Sequence, residues 1–141
     1  MRVHDSRLEH GILLCAALVA VGIVLIRTAW VCDDAYITFR TIDNCLHGFG
    51  LRWNVAERVQ SFTHPLWLIL LTPFVALTGE PYYTSLAVSI LLTLATVALL
   101  CGRVAATPFA ALLVVCMLLA SRAFVEYSSS GLENPLSHLL L

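Results

Sequence analysis

The stretch Trp30-Val-Cys-Asp-Asp-Ala-Tyr-Ile-Thr-Phe-Arg40 opens the one long polar segment of the chain, which closes at Ser61-Phe-Thr-His-Pro-Leu-Trp67. Between its two tryptophans lie four of the nine acids (Asp33, Asp34, Asp43, Glu57) and three of the eight arginines (Arg40, Arg52, Arg58). Hydrophobic sequence flanks it on both sides. The pattern predicts a loop that one span delivers to a membrane face and that the following sequence returns to the bilayer. Chemistry, if the chain has any, is expected here.

The totals agree with that reading. The 141 residues are 60% hydrophobic and 12% charged, with mean hydropathy +0.88, against about 45–50% and about 25% in soluble domains. The fold class expected is an all-α polytopic membrane protein. A net charge of −1 gives no reason to expect nucleic acid as a partner. Every fixed cation is arginine, a bias that GC-rich coding would produce and that also suits bidentate phosphate recognition. The five cysteines show no CxxC spacing, so zinc and redox motifs have little support. Cys32 and Cys45 share the loop, but a helix between them would hold them roughly 20 Å apart, too far for a disulfide.

Working outward, residues 11–26 are apolar without interruption, and 27–31 extend the run to the roughly 20 residues a span requires. Arg27 can snorkel and Trp30 suits the interfacial belt. No small-x-small cleavage site follows, and Asp5 and Glu9 dilute the basic head. An uncleaved anchor with a cytoplasmic N-terminus is therefore favoured over a cleaved signal peptide.

Beyond the anchor, residues 34–47 predict a surface helix, with Ala35, Phe39, Ile42 and Leu46 on one face. Arg40, Asp43, Asn44 and His47 form another face, and Gly48 supplies the stop. Residues 49–62 predict an ordered loop pinned by Trp53. Residues 65–78 predict a second interfacial or re-entrant helix, capped by Thr63 or His64 and opened by Pro65. At 14 residues this run is short for a crossing. Spans at about 82–101 and 108–125 follow, and another opens at 132. If 65–78 does not cross, Arg103 faces the cytoplasm and residues 128–135 share a side with the first loop; a crossing exchanges these positions. Length favours the non-crossing version.

Asp33-Asp34 is the sharpest chemical feature. Adjacent carboxylates repel each other, and partial burial would let one act as a general base toward a sugar hydroxyl. The plain alternative is that Asp33 caps a helix and Asp34 sits in its first turn, where the dipole favours both. No cofactor is called for; a divalent metal held by these acids with His47 or His64 is an open alternative without ligand spacing behind it. Arg40, Arg52 and Arg58 suit a lipid phosphate, though loop arginines more often meet anionic headgroups or neighbouring acids. His64 reads as a substrate contact or a cap, and Glu133 by itself as an ordinary helix-start acid.

Four ordered motifs carry a resemblance: Asp33-Asp34-Ala-Tyr-Ile-Thr-Phe-Arg40, His47-Gly-Phe-Gly-Leu-Arg-Trp-Asn-Val-Ala-Glu-Arg58, Thr63-His-Pro-Leu-Trp67 and Ser130-Gly-Leu-Glu133. They resemble the opening of a GT-C glycosyltransferase, in particular the actinobacterial cell-wall arabinofuranosyltransferases that add terminal arabinose. The wider group includes protein O-mannosyltransferases and lipid A aminoarabinose transferases. The resemblance implies that Asp33 is the base and Asp34 a supporting acid. It implies that Arg40, Arg58, His64 and Glu133 bind substrate, with the Gly-Leu-Glu turn extracytoplasmic.

The expected activity is inverting transfer of a sugar, arabinofuranose in the likeness named, from a polyprenyl-phosphate donor to an extracytoplasmic cell-envelope glycan or protein. The expected setting is the plasma membrane. Enzymes of this group have many more spans than are read here, which implies the N-terminal part of a GT-C transmembrane domain or dependence on a second chain. The alternative is a non-catalytic membrane fragment or assembly subunit. A transporter is disfavoured, because no charged residue lies mid-span.

Overall fold

The structure, a computed structural model, describes the backbone of residues 2–57 and 59–141, and the side chains from residue 11 onward except 58. Among the described residues it is all-helical, with no strand. The elements are α1 (Arg2–Arg27), α2 (Asp33–Leu46), α3 (Pro65–Thr78), α4 (Pro81–Leu99), a π-helical turn (Leu100–Val104), α5 (Pro108–Ala120), α6 (Arg122–Tyr127) and α7 (Asn134–Leu140).

Local chemistry sets these limits. α3 stops at Gly79, whose φ of +68° suits glycine. Glu80 then caps α4, its carboxylate accepting from the N–H groups of Tyr82 and Tyr83. Thr107 caps α5 by accepting from Ala110 N–H, and Pro108 takes the first turn, where a missing N–H costs nothing. The single run expected over 108–125 is broken at Ser121. That residue is extended, and its hydroxyl accepts from Phe124 N–H to begin α6 as a separate helix.

Among the described residues one helix is long and apolar enough to cross a membrane, the 24-residue stretch Pro81–Val104. The apolar helices Gly11–Arg27, Pro65–Thr78 and Pro108–Ala120 are shorter. The direction of each helix follows from what it faces. Leu13, Ala16 and Ala17, at the middle of α1, lie across a cleft from Cys101, Pro108 and Phe109. Val24, in its last turn, and Thr28, just past its end, face Leu119, Val125 and Glu126. Thus α1 and α5 run parallel and α4 runs against both. That up-down-up order brings the ends of α1 and α6 to the same end of the bundle, where α2 and α3 also lie.

Two cores result. Val21, Leu25, Val97, Cys101, Val115 and Phe124 fill the space between α1, α4, α5 and α6. Ala35, Phe39, Ile42, Trp67, Leu68, Leu71 and Val75 join α2 to α3, with Val88, Leu132 and Leu136 packed against them. Leu46, expected on the buried face of α2, is 44% exposed, whereas Asn44, expected on the polar face, is buried. Asn44 sits inside because its Nδ2 donates to the carbonyls of Arg52 and Trp53, at 2.8 and 2.9 Å, and so holds the loop against the helix.

The segment Ser128–Glu133 closes the second core. Cys32 N–H donates to Ser130 O at 2.9 Å, the Trp67 indole N–H to Gly131 O at 3.0 Å and the Trp30 indole N–H to Glu126 O at 3.0 Å. Gly131 has φ +81°, and a Cβ there would stand 2.8 Å from Ala35 Cβ and 3.0 Å from Val31 Cγ1. Left-handed strain and overpacking each cost about 1–3 kcal/mol. Gly131→Ala is therefore expected to destabilise the fold by roughly 2–4 kcal/mol. The check is the thermal midpoint of the detergent-solubilised protein, which should fall by several degrees.

Candidate functional site

Three stretches far apart in sequence meet at one cavity of about 320 Å³. Its walls include Asp34 and Thr38 from α2, Thr63 and His64 from the residues before α3, and Leu132 and Glu133 from the turn before α7. Each arrives for a local reason. Asp34 is in the first turn of α2, Pro65 starts α3 directly after His64, and the glycine turn at 131 brings Glu133 back toward α2. Three of the residues singled out in the sequence, Asp34, His64 and Glu133, therefore line one cavity.

His64 is the hub. It occupies the N-cap position of α3 but makes no side-chain capping bond. Its ring instead spans the cavity: Nε2 lies 2.7 Å from Thr38 Oγ1, and Nδ1 lies 3.3 Å from Glu133 Oε2 and 3.3 Å from Thr63 Oγ1. A carboxylate can only accept, so the nitrogen facing Glu133 is the one that carries hydrogen. In the neutral ring Nε2 then accepts the Thr38 hydroxyl proton. Thr38 is buried, and the His64 side chain is only 13% exposed. One imidazole thus links α2, the entry to α3 and the Gly-Leu-Glu turn.

Asp33 is the first residue of α2, not its cap; Cys32 takes the cap position without a side-chain bond. Asp33 Oδ1 accepts from Asp34 N–H at 3.2 Å. Asp33 is not in the cavity wall, and both aspartates are exposed, so neither has the partial burial that would raise a carboxyl toward a base role. What remains is the favourable end of the helix dipole, which stabilises a carboxylate in the first turn.

Arg40 does not line this cavity. Its Nε donates to Trp53 O at 3.0 Å and its guanidinium lies 4.8 Å from the Trp53 ring centroid, so it fastens the loop to α2. Arg52 likewise donates to Val55 O within the loop. Arg58 lies outside the described residues.

A metal set is not assembled. His47 ends α2, at the far end from Asp33, and its Nδ1 lies 3.2 Å from Asp43 Oδ1. His64 is occupied by Thr38 and Glu133. Among the described residues no group of three or more His, Cys, Asp and Glu side chains is disposed to hold a metal ion. Cys32 and Cys45 are free thiols.

Thr38 went unread in the sequence. It stands one helical turn after Asp34, so the i, i+4 rule places both on one face and could have flagged it. If His64 links Thr38 to the rest of the site as drawn, the two side chains are energetically coupled. A double-mutant cycle of Thr38→Val and His64→Ala, followed by thermal unfolding, is expected to give a coupling of about 1 kcal/mol. Additive effects would mean that the bond contributes nothing.

Compared with protein-family models, with curated proteins and with solved structures, the chain matches none.

Proposed function

We propose that this chain carries the first extracytoplasmic loop of a GT-C-type membrane glycosyltransferase. The reaction is inverting transfer of a sugar, arabinofuranose in our reading, from a polyprenyl-phosphate donor to a cell-envelope glycan or protein. The observation that carries it is the meeting of Asp34, His64 and Glu133 around one cavity. Those residues belong to three of the four motifs behind the resemblance, and up to 99 positions separate them.

The layout proposed is multi-pass in the plasma membrane, with α1, α4 and the α5–α6 unit crossing and α3 lying at the interface. Two facts support it. The 14-residue α3 is about 21 Å long, short of the roughly 30 Å hydrocarbon core. Its neighbours α1 and α4 run antiparallel, as they must if α3 returns the chain without crossing. Cys101, between α4 and α5, is buried, so a thiol reagent needs a more open site. With Arg103→Cys and Glu57→Cys introduced singly, an impermeant maleimide applied to intact cells is expected to label position 57 and spare position 103. The reverse pattern overturns the layout.

In the mechanism, the acceptor hydroxyl gives its proton to the Asp33-Asp34 pair as its oxygen attacks the anomeric carbon. The bond from that carbon to the phosphate oxygen breaks with inversion, and polyprenyl phosphate departs. We assign the proton to Asp33, which is solvent-facing at the helix start, and acceptor binding to Asp34 in the cavity wall. His64 and Glu133 shape the opposite wall. Arg40, held through Nε by Trp53 O, has its two terminal nitrogens to offset charge on the leaving phosphate.

A second reading has one observation in its favour: both aspartates are exposed in the first turn of α2, as dipole-stabilising acids of a non-catalytic membrane chain would be. Membranes from cells producing the protein, given a radiolabelled polyprenyl-phosphoryl arabinofuranose, separate the two. Asp33→Asn is expected to lower transfer by at least about 100-fold, the scale of general-base catalysis, with membrane abundance unchanged. Undiminished turnover removes Asp33 from the role of base, and no transfer by the unaltered protein supports the non-catalytic reading.

A further inference from the structure

We infer that a second cavity, between α2 and the Trp53–Thr63 loop, binds a neutral sugar residue of the acceptor glycan. The identity of the ligand rests on the glycosyltransferase reading above. The cavity measures about 630 Å³, within the roughly 300–1,000 Å³ of small-molecule sites. It shares Ile37, Ser61, Phe62 and Thr63 with the cavity that holds Asp34. A glycan with one hydroxyl presented to the aspartates would therefore lie with its next residue in this second space.

The remaining walls have the chemistry a sugar ring needs. Trp53 supplies an indole, suited to the apolar face of a furanose or pyranose. Arg40 packs on that indole without lining the cavity, so it braces the ring from outside. The Trp53 carbonyl is fixed in addition by Asn44 and Arg40. The platform is thus held by bonds in place before any ligand arrives, which is what a positioned recognition group requires.

Asn54, Glu57 and Gln60 are the polar groups of the remaining wall, with Val59 beside them. Carboxamides both donate and accept, and a carboxylate accepts, which matches hydroxyls that do both. Asn54 Nδ2 donates to Glu57 Oε2 at 3.1 Å and Gln60 Nε2 to Phe62 O at 2.9 Å. Each bond uses one amide hydrogen and orients the group, leaving the amide oxygens as acceptors. The Glu57 carboxylate also selects between substrates: it repels a phosphate and accepts from a polyol. The cavity is therefore assigned to the acceptor and not to the donor.

The test uses the purified full chain in detergent, with Asp33→Asn in place so that no turnover occurs and without donor. The probe is an octyl-capped arabinofuranose disaccharide followed by saturation-transfer NMR and titration. Binding is expected, weakened at least tenfold by Trp53→Ala, and by Glu57→Ala at an exposed position outside both hydrophobic cores. Tenfold corresponds to about 1.4 kcal/mol. Trp53→Phe should retain affinity within about threefold, since it keeps an aromatic face. No binding, affinity untouched by both alanine changes, or displacement of the disaccharide by polyprenyl phosphate overturns the proposal. Its fate separates from that of the enzyme reading. Disaccharide binding at these residues in a protein that transfers nothing leaves the subsite standing without the transferase. Transfer whose acceptor KM ignores both changes does the opposite.

Discussion

The fold at the loop end depends on one close approach, that of the Gly131 backbone to Ala35 and Val31. A glycine without a Cβ lets the turn before α7 press onto the start of α2, and a methyl group there would meet Ala35 Cβ at 2.8 Å. That contact lets Ser130 O reach Cys32 N–H and Gly131 O reach the Trp67 indole. The fully buried Trp67 thereby ties α3 to a turn 64 residues later. Remove the approach and Glu133 loses its place opposite His64.

The bundle supports this from below. Ser85, Ser89, Thr93 and Thr96 of α4 are buried at helical spacing, on a helix packed against both α1 and α7. Small hydroxyl side chains let helices come close without a large void. Thr93 and Thr96 satisfy their hydroxyls on the carbonyls of Ser89 and Leu92, four residues back, and Ser85 on Tyr82. Because α7 begins directly after Glu133, its packing on α4 fixes the height at which Glu133 leaves the turn. The polar seam inside an apolar helix and the acidic turn above it are parts of one support.

Much of the helical layout was legible because its signals are local. Pro65 and Pro108 mark helix starts by their own chemistry, and the structure places starts there. The errors arose where a distant partner decided. Asn44 looked like a surface residue until the carbonyls of Arg52 and Trp53 gave it somewhere to donate. Leu46 fits the apolar period of α2, but the core beneath it ends at Ile42. The break at Ser121 needed only a hydroxyl able to start α6, a weak signal inside an apolar run. His64 read as a substrate contact or a cap; it holds the cap position, but its side-chain partners, Thr38 and Glu133, lie 26 residues before it and 69 after, beyond any local signal. Periodicity reports what a helix does alone, and the site is made of contacts between elements.

The position of α3 bears most directly on the lipid-linked donor we propose. One face of α3 is buried through Trp67, Leu68, Leu71 and Val75; the other leaves Leu66, Ile69, Phe74 and Leu77 exposed, Leu77 at 85%. Apolar surface left in water forgoes about 25 cal/mol for every Å² it could bury. Four large side chains on one short helix make that a steep penalty in water and none in hydrocarbon. The exposed face is thus suited to lipid, and it starts within two residues of His64. A substrate whose sugar must stay in water while its tail stays in the bilayer needs a polar cavity bordered by such a face. In the proposed reading, the tail runs along α3 and the sugar meets Asp33 and Asp34 at the boundary, with no need for the lipid to leave the membrane.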